Sequence, residues 1–407
     1  MRLFLVIIII LLPTSSSKSI NSSFLLDDPF FRYFKLKDNI VCKGIDGFEF
    51  EEAFFKKISI NNKYVGILHF KSDDELNFRI FDIEKKEEHI YKIKIENTQL
   101  NEIRGNILLY SFNSKFLAIY FGKKFYLGEI TPGEINMKFV MEVEKYVDFL
   151  KIFEDKAYLG SFGLRSGKMG YETNSFIYII DLNNFSLKYV DLGTPVGFYF
   201  TLLYPPEVFD LSSKYIACSD ISIYNIKILD NDGKFLFNIH REDSLFNKLD
   251  SNLHKKFANL VLNQNITIKS ALDSIRSTFF SGIGIIEKVS FVNDSTLLIR
   301  WYGPKKDTTS WYPDIYYDIW EIKKDSALLV GKNILAKLPN DSTLMKFEPL
   351  YSSRFECASN YIISFYTVFC EDKGPEDETL QQFRIRQRNC QEANNPTLGL
   401  TVYEYVK

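Results

Sequence analysis

The chain has 407 residues, of which 46% are apolar, 16% aromatic and 25% charged, with a formal net charge of −2. This is ample apolar material for a packed core, and the length alone would allow two domains. The near-neutral balance shows no basic stripe, which removes the electrostatic case for nucleic-acid binding.

At the N-terminus, Arg2 precedes the apolar run Leu3 to Leu12, followed by Pro13 and the small residues Ser15, Ser16 and Ser17. That order is the pattern of a secretory leader. The run is about half the roughly 20 residues that span a bilayer. Residues 1–19 are therefore expected to be a cleaved signal peptide, and 20–407 a secreted or periplasmic domain with no stable membrane span. An uncleaved anchor is the alternative.

Beyond the leader, a strand-turn-strand pattern recurs six times: Ile58 to Leu68, Leu109 to Ile119, Phe149 to Leu159, Val208 to Cys218, Val289 to Ile299 and Arg354 to Ser364. Each copy has two apolar runs around a short polar turn. A third strand then closes on an acidic residue, at Asp82, Glu129, Asp181, Asp230, Glu321 and Glu404. Turn-forming residues follow, such as Asn183-Asn184 and Asn231-Asp232-Gly233. A fourth strand runs out, as in His89 to Ile93 and Leu187 to Asp191. A repeat of this length made of four strands, a to d, predicts an all-β fold, a six-bladed β-propeller of four-stranded antiparallel blades. The chain stops at Lys407, soon after the third strand of its last repeat. The unpartnered segment Phe31 to Leu36 is expected to supply the missing outer strand and close the ring.

Secretion permits disulfides. Cys370 and Cys390 flank one loop of the sixth repeat and are the disulfide candidate; a bridge there would close that loop. Cys218 lies on an alternating strand and reads as a buried thiol. Cys42 and Cys357 are a second possible pair across the closure, and spacing alone fixes no connectivity.

Connections differ by type. All a–b and c–d turns are short. The long segments are b–c loops (Phe162 to Asn174, Gly303 to Asp314, Glu371 to Pro396) and d–a crossovers (Gly193 to Pro206, Arg241 to Gly284). In an antiparallel blade both long classes leave from the same face, so this face is the expected binding surface. Segment 241–284 switches to helical spacing: Phe246, Leu249, Leu253, Phe257 and Leu260, then Ile268, Leu272, Ile275 and Phe279. It predicts a helical insertion between the fourth and fifth repeats, its apolar stripe packed on the propeller.

The loops nominate Arg165, Lys168, Tyr171, Tyr199, Trp311 and Tyr312 as ligand-binding residues. Aromatic rings beside polar groups suit stacking on sugars or peptide side chains. Each aromatic taken singly also fits inter-blade packing. The acidic run from Glu371 to Glu378 admits Ca²⁺ binding, but a solvated loop explains it as well. No metal and no cofactor is expected. Of the four His, none stands in a recognised catalytic spacing, and neither a nucleophile elbow nor a phosphate-binding Gly loop is present.

The six strand-turn-strand units, their acidic strand ends and the shared closure resemble the six-bladed, TolB-like β-propellers, more narrowly those of secreted bacterial proteins, over residues 31 to 407. The resemblance implies a module that binds a ligand or a protein in the cell envelope, and transfers no functional residue. Two functions are expected. The first is a non-catalytic propeller that binds a protein, peptide or glycan of the envelope or extracellular space through its loop-rich face. The alternative is a glycan-acting hydrolase or lyase with a dispersed site at the channel mouth.

Overall fold

The structure is a computed structural model that describes residues 29–46, 58–72, 75–96, 98, 100–104, 108–161, 165–167, 170–172, 175–193, 207–220, 223–241, 245–246, 284–303, 314–336, 355–368 and 397–406. Strands dominate. Among the described residues the only helical pieces are the turns Pro29–Arg32 and Leu100–Arg104.

After a leading strand β1 (Phe34–Asp46), the first repeat forms β2 (Ser59–Asn61), β3 (Tyr64–Ser72), β4 (Glu75–Asp82) and β5 (Glu87–Ile95). The second forms β6 (Leu109–Phe112), β7 (Phe116–Phe121), β8 (Lys124–Glu129) and β9 (Glu134–Glu142). The third has β10 (Phe149–Phe153), β11 (Lys156–Ser161), the small hairpin β12 (Arg165–Gly167) and β13 (Gly170–Glu172), then β14 (Ser175–Asp181) and β15 (Leu187–Gly193). The fourth is β16 (Phe209–Leu211), β17 (Tyr215–Ser219), β18 (Asn225–Asp230) and β19 (Phe235–His240). The fifth is β20 (Ile285–Phe291), β21 (Thr296–Gly303), β22 (Asp314–Ile322) and β23 (Ala327–Ala336). The last is β24 (Phe355–Ala358), β25 (Tyr361–Val368) and β26 (Thr397–Tyr405).

These strands build a propeller-like ring of antiparallel sheets. Four sheets stand alone with four strands each: β10-β11-β14-β15, β16-β17-β18-β19, β20-β21-β22-β23 and β1-β26-β25-β24. The first two repeats depart from the expected six separate blades. They share one eight-stranded sheet, β2-β3-β4-β5-β9-β8-β7-β6. The cause is a parallel ladder between their outer strands, Lys92 to Ile95 against Glu134 to Met137. It is supported by Lys92 N–H donating to Gly133 O at 3.1 Å and Glu96 N–H to Met137 O at 3.0 Å.

The expected closing strand is present but displaced along the chain. Phe31 sits in the Pro29–Arg32 turn, and the strand starts at Phe34 and runs on to Asp46, paired antiparallel with β26. The turn lets Phe30 and Phe34 both point inward, their rings stacked at 4.4 Å. Hairpin turns follow the sequence too. Ser359 and Asn360 take φ of 53° and 71°, as a two-residue turn matched to strand twist requires.

The core is divided into clusters that lie between successive repeats. Leu76, Phe78, Tyr110 and Leu117 join the first repeat to the second. Leu109, Ala118, Leu150 and Tyr178 join the second to the third, and Tyr158, Phe209 and Ile216 the third to the fourth. Ile226, Val289 and Trp301 join the fourth to the fifth, and Leu298, Tyr317 and Phe355 the fifth to the last. Cys42, Val65, Ile363 and Leu400 join the last to the first. Strands β7, β11 and β17 are buried on both faces after their first residue, and β3 is from Val65 to His69. Their near-continuous apolar sequences follow from that, as they do in any sheet covered on both sides. Outer strands such as β5 are mostly exposed.

Cys42, Cys218 and Cys357 are buried free thiols. The possible Cys42–Cys357 pair is thus not formed: the two sit in different clusters. Residues 1–28, nearly all of the expected helical insertion, Cys370 and Cys390 lie outside the described residues.

Phe34 is fully buried at the closure, with Phe30 at 4.4 Å and Tyr405 at 5.3 Å. Phe34→Ala is expected to lower unfolding stability by about 3–5 kcal/mol. Val41→Thr, on the exposed side of the same strand, is expected to change it by less than about 0.5 kcal/mol. Urea denaturation of both variants checks this, and equal midpoints would remove the closure from the list of major stabilising contacts.

Candidate functional site

Strand order fixes which connections share a face. Strand a runs to the a–b turn, b returns, c runs out to the c–d turn, and d returns. All a–b and c–d turns are short, from Asn61–Tyr64 through Ala358–Tyr361 and from Asp82–Glu87 through Ile322–Ala327. The longest connections, β11 to β14, β15 to β16, β19 to β20, β21 to β22, β23 to β24 and β25 to β26, all run at the opposite end.

At that loop-rich end the inner strands carry charge. Glu207 precedes β16 and makes a parallel bridge with Lys288. Glu207 N–H donates to Glu287 O at 2.7 Å, and Val289 N–H donates to Glu207 O at 2.8 Å. Opposite β21, Ile286 pairs with Trp301 and Lys288 with Arg300, so Glu287 is an extra residue, a β-bulge. Bulges re-aim side chains and recur beside functional sites. Here Lys288 forms an ion pair with Glu207, and Glu287 one with Arg300 while it accepts from Tyr302 Oη. Deeper in the ring, Asp210 ties three repeats together: it pairs with Lys151 of β10 and accepts from Phe291 N–H of β20 at 2.7 Å.

Burial opposes the Lys288 charge, yet Glu207 and Glu356 outweigh it and hold the ammonium pKa above its ordinary value. Around Glu207 the crowding protein raises the carboxyl pKa against the pull of Lys288. Half of the Glu207 side chain is nevertheless accessible. The thiols offer no nucleophile here. Burial pushes Cys218 up to about 12 and raises Cys357 further, so the thiolate is scarce at neutral pH. Among the described residues no three His, Cys, Asp or Glu side chains gather as metal ligands.

A second buried constellation pins the root of the 241–284 connection. Arg241 Nη1 pairs with Asp318 Oδ2 at 2.6 Å, and Nη2 donates to Asn333 Oδ1 at 2.5 Å. The guanidinium lies 5.2 to 5.5 Å from the ring centres of Trp301, Tyr224 and Phe246, within cation–π range. Phe246 is fully buried, so this member of the predicted apolar stripe does pack on the ring. The other end of the connection returns to the same place, where Gly284 N–H donates to Leu245 O at 2.7 Å. A Cβ on Gly284 would meet the Phe246 ring at 2.6 Å, so the close approach requires glycine.

Two of the six nominated binding residues have a described backbone. Arg165 and Tyr171 lie on the β12–β13 hairpin, where Arg165 faces Glu172 and Ser166 faces Tyr171 in register. That hairpin is part of the b–c connection of the third repeat, at the loop-rich end. Lys168, Tyr199, Trp311 and Tyr312 lie outside the described residues. Sequence reading missed the inner-strand charges. The signal was available in Ile285-Ile-Glu-Lys-Val-Ser-Phe291, where two adjacent charges interrupt a buried strand.

No protein-family model matches the chain, and no curated protein matches it in sequence. Among solved structures it is similar to a member of the duf4221 family from Bacteroides vulgatus, 10% identical over 92% of this chain and 99% of that one, with a TM-score of 0.45. It is also similar to a candidate exported protein from Bacteroides fragilis, 11% identical over 97% and 98% of the two chains, TM-score 0.40. A third is the N-terminal domain of Nup159, 13% identical and TM-score 0.34, where the match spans 73% of this chain and 66% of that domain, just under two thirds. These overlaps are too slight to carry an argument, and the fold stands on strand pairing. Among the described residues no helix is long and apolar enough to cross a membrane.

Asp318 is completely buried, and it also accepts from Asn333 N–H at 2.7 Å. Asp318→Ala strands the Arg241 guanidinium among aromatic rings and is expected to cost about 3–5 kcal/mol. Asp318→Asn keeps an acceptor and is expected to cost less. Thermal and urea unfolding of the two variants rank them, and the reverse order would contradict the assigned pairing.

Proposed function

We propose that the chain is an exported, six-bladed β-propeller of the TolB-like type. It binds a protein, peptide or glycan of the envelope or extracellular space through its loop-rich face, without catalysing a reaction. The observation that carries this reading is the one-sided placement of the long connections on a rigid ring. Such loops are where scaffolds of this kind carry recognition.

The blade count rests on two features. The eight-stranded sheet reads as two four-stranded blades joined through β5 and β9. Hydrogen bonds or ion pairs also link each repeat to the next in cyclic order: Tyr110 to Gly66, Asn113 to Glu154, Lys151 to Asp210, Ser213 to Asp294, Asn293 to Asn360 and Ser359 to Asn62. The export reading rests on the leader pattern of residues 1–19. The binding residues proposed are Arg165, Lys168, Tyr171, Tyr199, Trp311 and Tyr312, with a Cys370–Cys390 bridge bracing the last b–c loop. The helical insertion of 241–284 is proposed to stand over the fourth and fifth repeats.

One observation favours a second reading, a glycan-acting hydrolase or lyase. Glu207 is half accessible, its carboxyl pKa is raised, and it is charge-coupled to Glu356 and Lys288. A general acid needs a raised carboxyl pKa of this kind.

The test is an affinity pulldown with the mature chain from its own envelope fraction, followed by affinity measurement on the retained component. Arg165→Ala/Tyr171→Ala and Trp311→Ala/Tyr312→Ala variants are expected to bind at least about tenfold more weakly, a loss of about 1.4 kcal/mol, at unchanged melting temperature. Undiminished binding by both variants rejects the loop-rich face. Release of reducing sugar from a glycan panel that disappears in Glu207→Gln would replace binding with catalysis.

A further inference from the structure

His69 is buried near the end of β3, where it accepts a hydrogen bond. Arg79 Nε donates to His69 Nε2 at 2.9 Å, and Arg79 Nη1 pairs with Glu88 at 2.9 Å. An imidazole nitrogen that accepts from a guanidinium carries no proton, because the doubly protonated ring has only donors. Protonation therefore has a fixed consequence. It breaks the Arg79 bond and sets two cations side by side in a buried site.

The location gives that event a wider reach. On β3 and β4, alternate residues face opposite ways. Leu68, Leu76, Phe78 and Ile80 face the second repeat. Val65, Ile67, Phe81 and Ile83 face the last repeat and β1. His69 shares the parity of Val65 and Ile67, and Arg79 that of Phe81. Glu88 lies opposite Phe81 in register. The three polar residues thus sit on the face that packs against the ring closure. Cys42 of β1 lies within electrostatic reach of Arg79 and Glu88. Nearby, Lys86 pairs with Asp38 of β1 at 2.9 Å. The charged groups around His69 itself are Arg79, Glu75 and Lys71.

We propose that the His69–Arg79–Glu88 relay is an acid-sensitive switch that loosens the seam between the first repeat and the closing strand β1. Geometry carries the device, and electrostatics sets its range. Desolvation first, then Arg79, lowers the His69 pKa from 6.5 to about 4; the hydrogen bond to the Phe70 backbone and the Glu75 carboxylate only partly oppose this. The folded state holds its proton less tightly than the unfolded chain. Between about pH 4 and 6.5 the unfolded chain therefore binds more protons, and stability rises with pH through that window. Acidification from 6.5 toward 4 removes stability and favours opening at the seam.

The experiment is hydrogen exchange of the mature chain at pH 7 and pH 4.5, corrected for intrinsic rates, with urea unfolding in parallel. In the native protein the protection of β1 is expected to fall more than that of the β10–β11 hairpin. The unfolding constant is expected to rise on the order of 100-fold from this group. His69→Gln can still accept from Arg79 but does not titrate, so its β1 protection is expected to respond far less to acid. Equal acid responses of native protein and variant, or a loss spread evenly over the ring, would overturn the proposal. Should His69→Gln not fold, titration of the His69 ring protons by NMR in the native protein decides: a midpoint near 4 supports the switch, and one at 6.5 or above rejects it.

Discussion

Each repeat buries both faces of its sheet only because another repeat stands on either side. A chain with two ends supplies that condition everywhere except where the ends meet. Pairing β1 with β26 removes the defect. It completes the last sheet with a strand from the other terminus and places Cys42 and Ile45 against Val65 and Ile67 of the first repeat. Without it, two apolar sheet faces and an open strand edge would meet water, the situation that invites aggregation. The other inter-repeat clusters depend on this one, since a ring opened at one seam leaves its flanking repeats covered on one side only.

A closed ring with short turns at one end concentrates variation at the other. The inner strands are locked by backbone and side-chain hydrogen bonds between neighbours, Asp210 alone reaching three repeats. Charges on such strands are tolerable where partners are supplied. Lys288 is held by Glu207, and Arg300 by Glu287. A buried charge of this kind is poor evidence for stability. Its position is the more informative fact, since these charges lie at the loop-rich end of the ring.

Much of the architecture was legible in the sequence because its signals are local. Two apolar runs around Asn61-Asn62 or Ser359-Asn360 make a hairpin whatever surrounds them, and every such hairpin formed. The loop-rich face followed from connection lengths alone. The parallel ladder of β5 on β9 has no local signature: Lys92 to Ile95 and Glu134 to Met137 each read as ordinary outer strands, and their meeting depends on how two repeats splay. The Glu287 bulge escaped for a related reason, since register is a property of two strands. His69, Arg79 and Glu88 read as separate polar residues until strand pairing set them on one face. The candidate binding site was legible as loops and not as geometry, because long connections carry little periodicity to reason from.

The distribution of buried polar groups follows from these constraints. Apolar clusters between repeats are interchangeable in kind: Leu, Ile and aromatic rings recur in all of them. Interchangeable surfaces specify packing but not order, so a repeat could in principle pair with the wrong neighbour. Directional groups remove that freedom. Arg241 with Asp318 belongs to the joint between the fourth and fifth repeats, Lys151 with Asp210 to that between the third and fourth, and His69 with Arg79 and Glu88 to the face where the ends close. The Arg241–Asp318 and Lys151–Asp210 pairs each fit one neighbour and would be left unsatisfied against another, at a cost of kilocalories rather than tenths, whereas the His69–Arg79–Glu88 contacts are made within the first repeat. The closing joint differs from the others in using an imidazole, whose pKa burial and Arg79 lower from 6.5 to about 4. Under the proposed switch, the seam that depends on distant chain ends is also the seam whose strength acid changes.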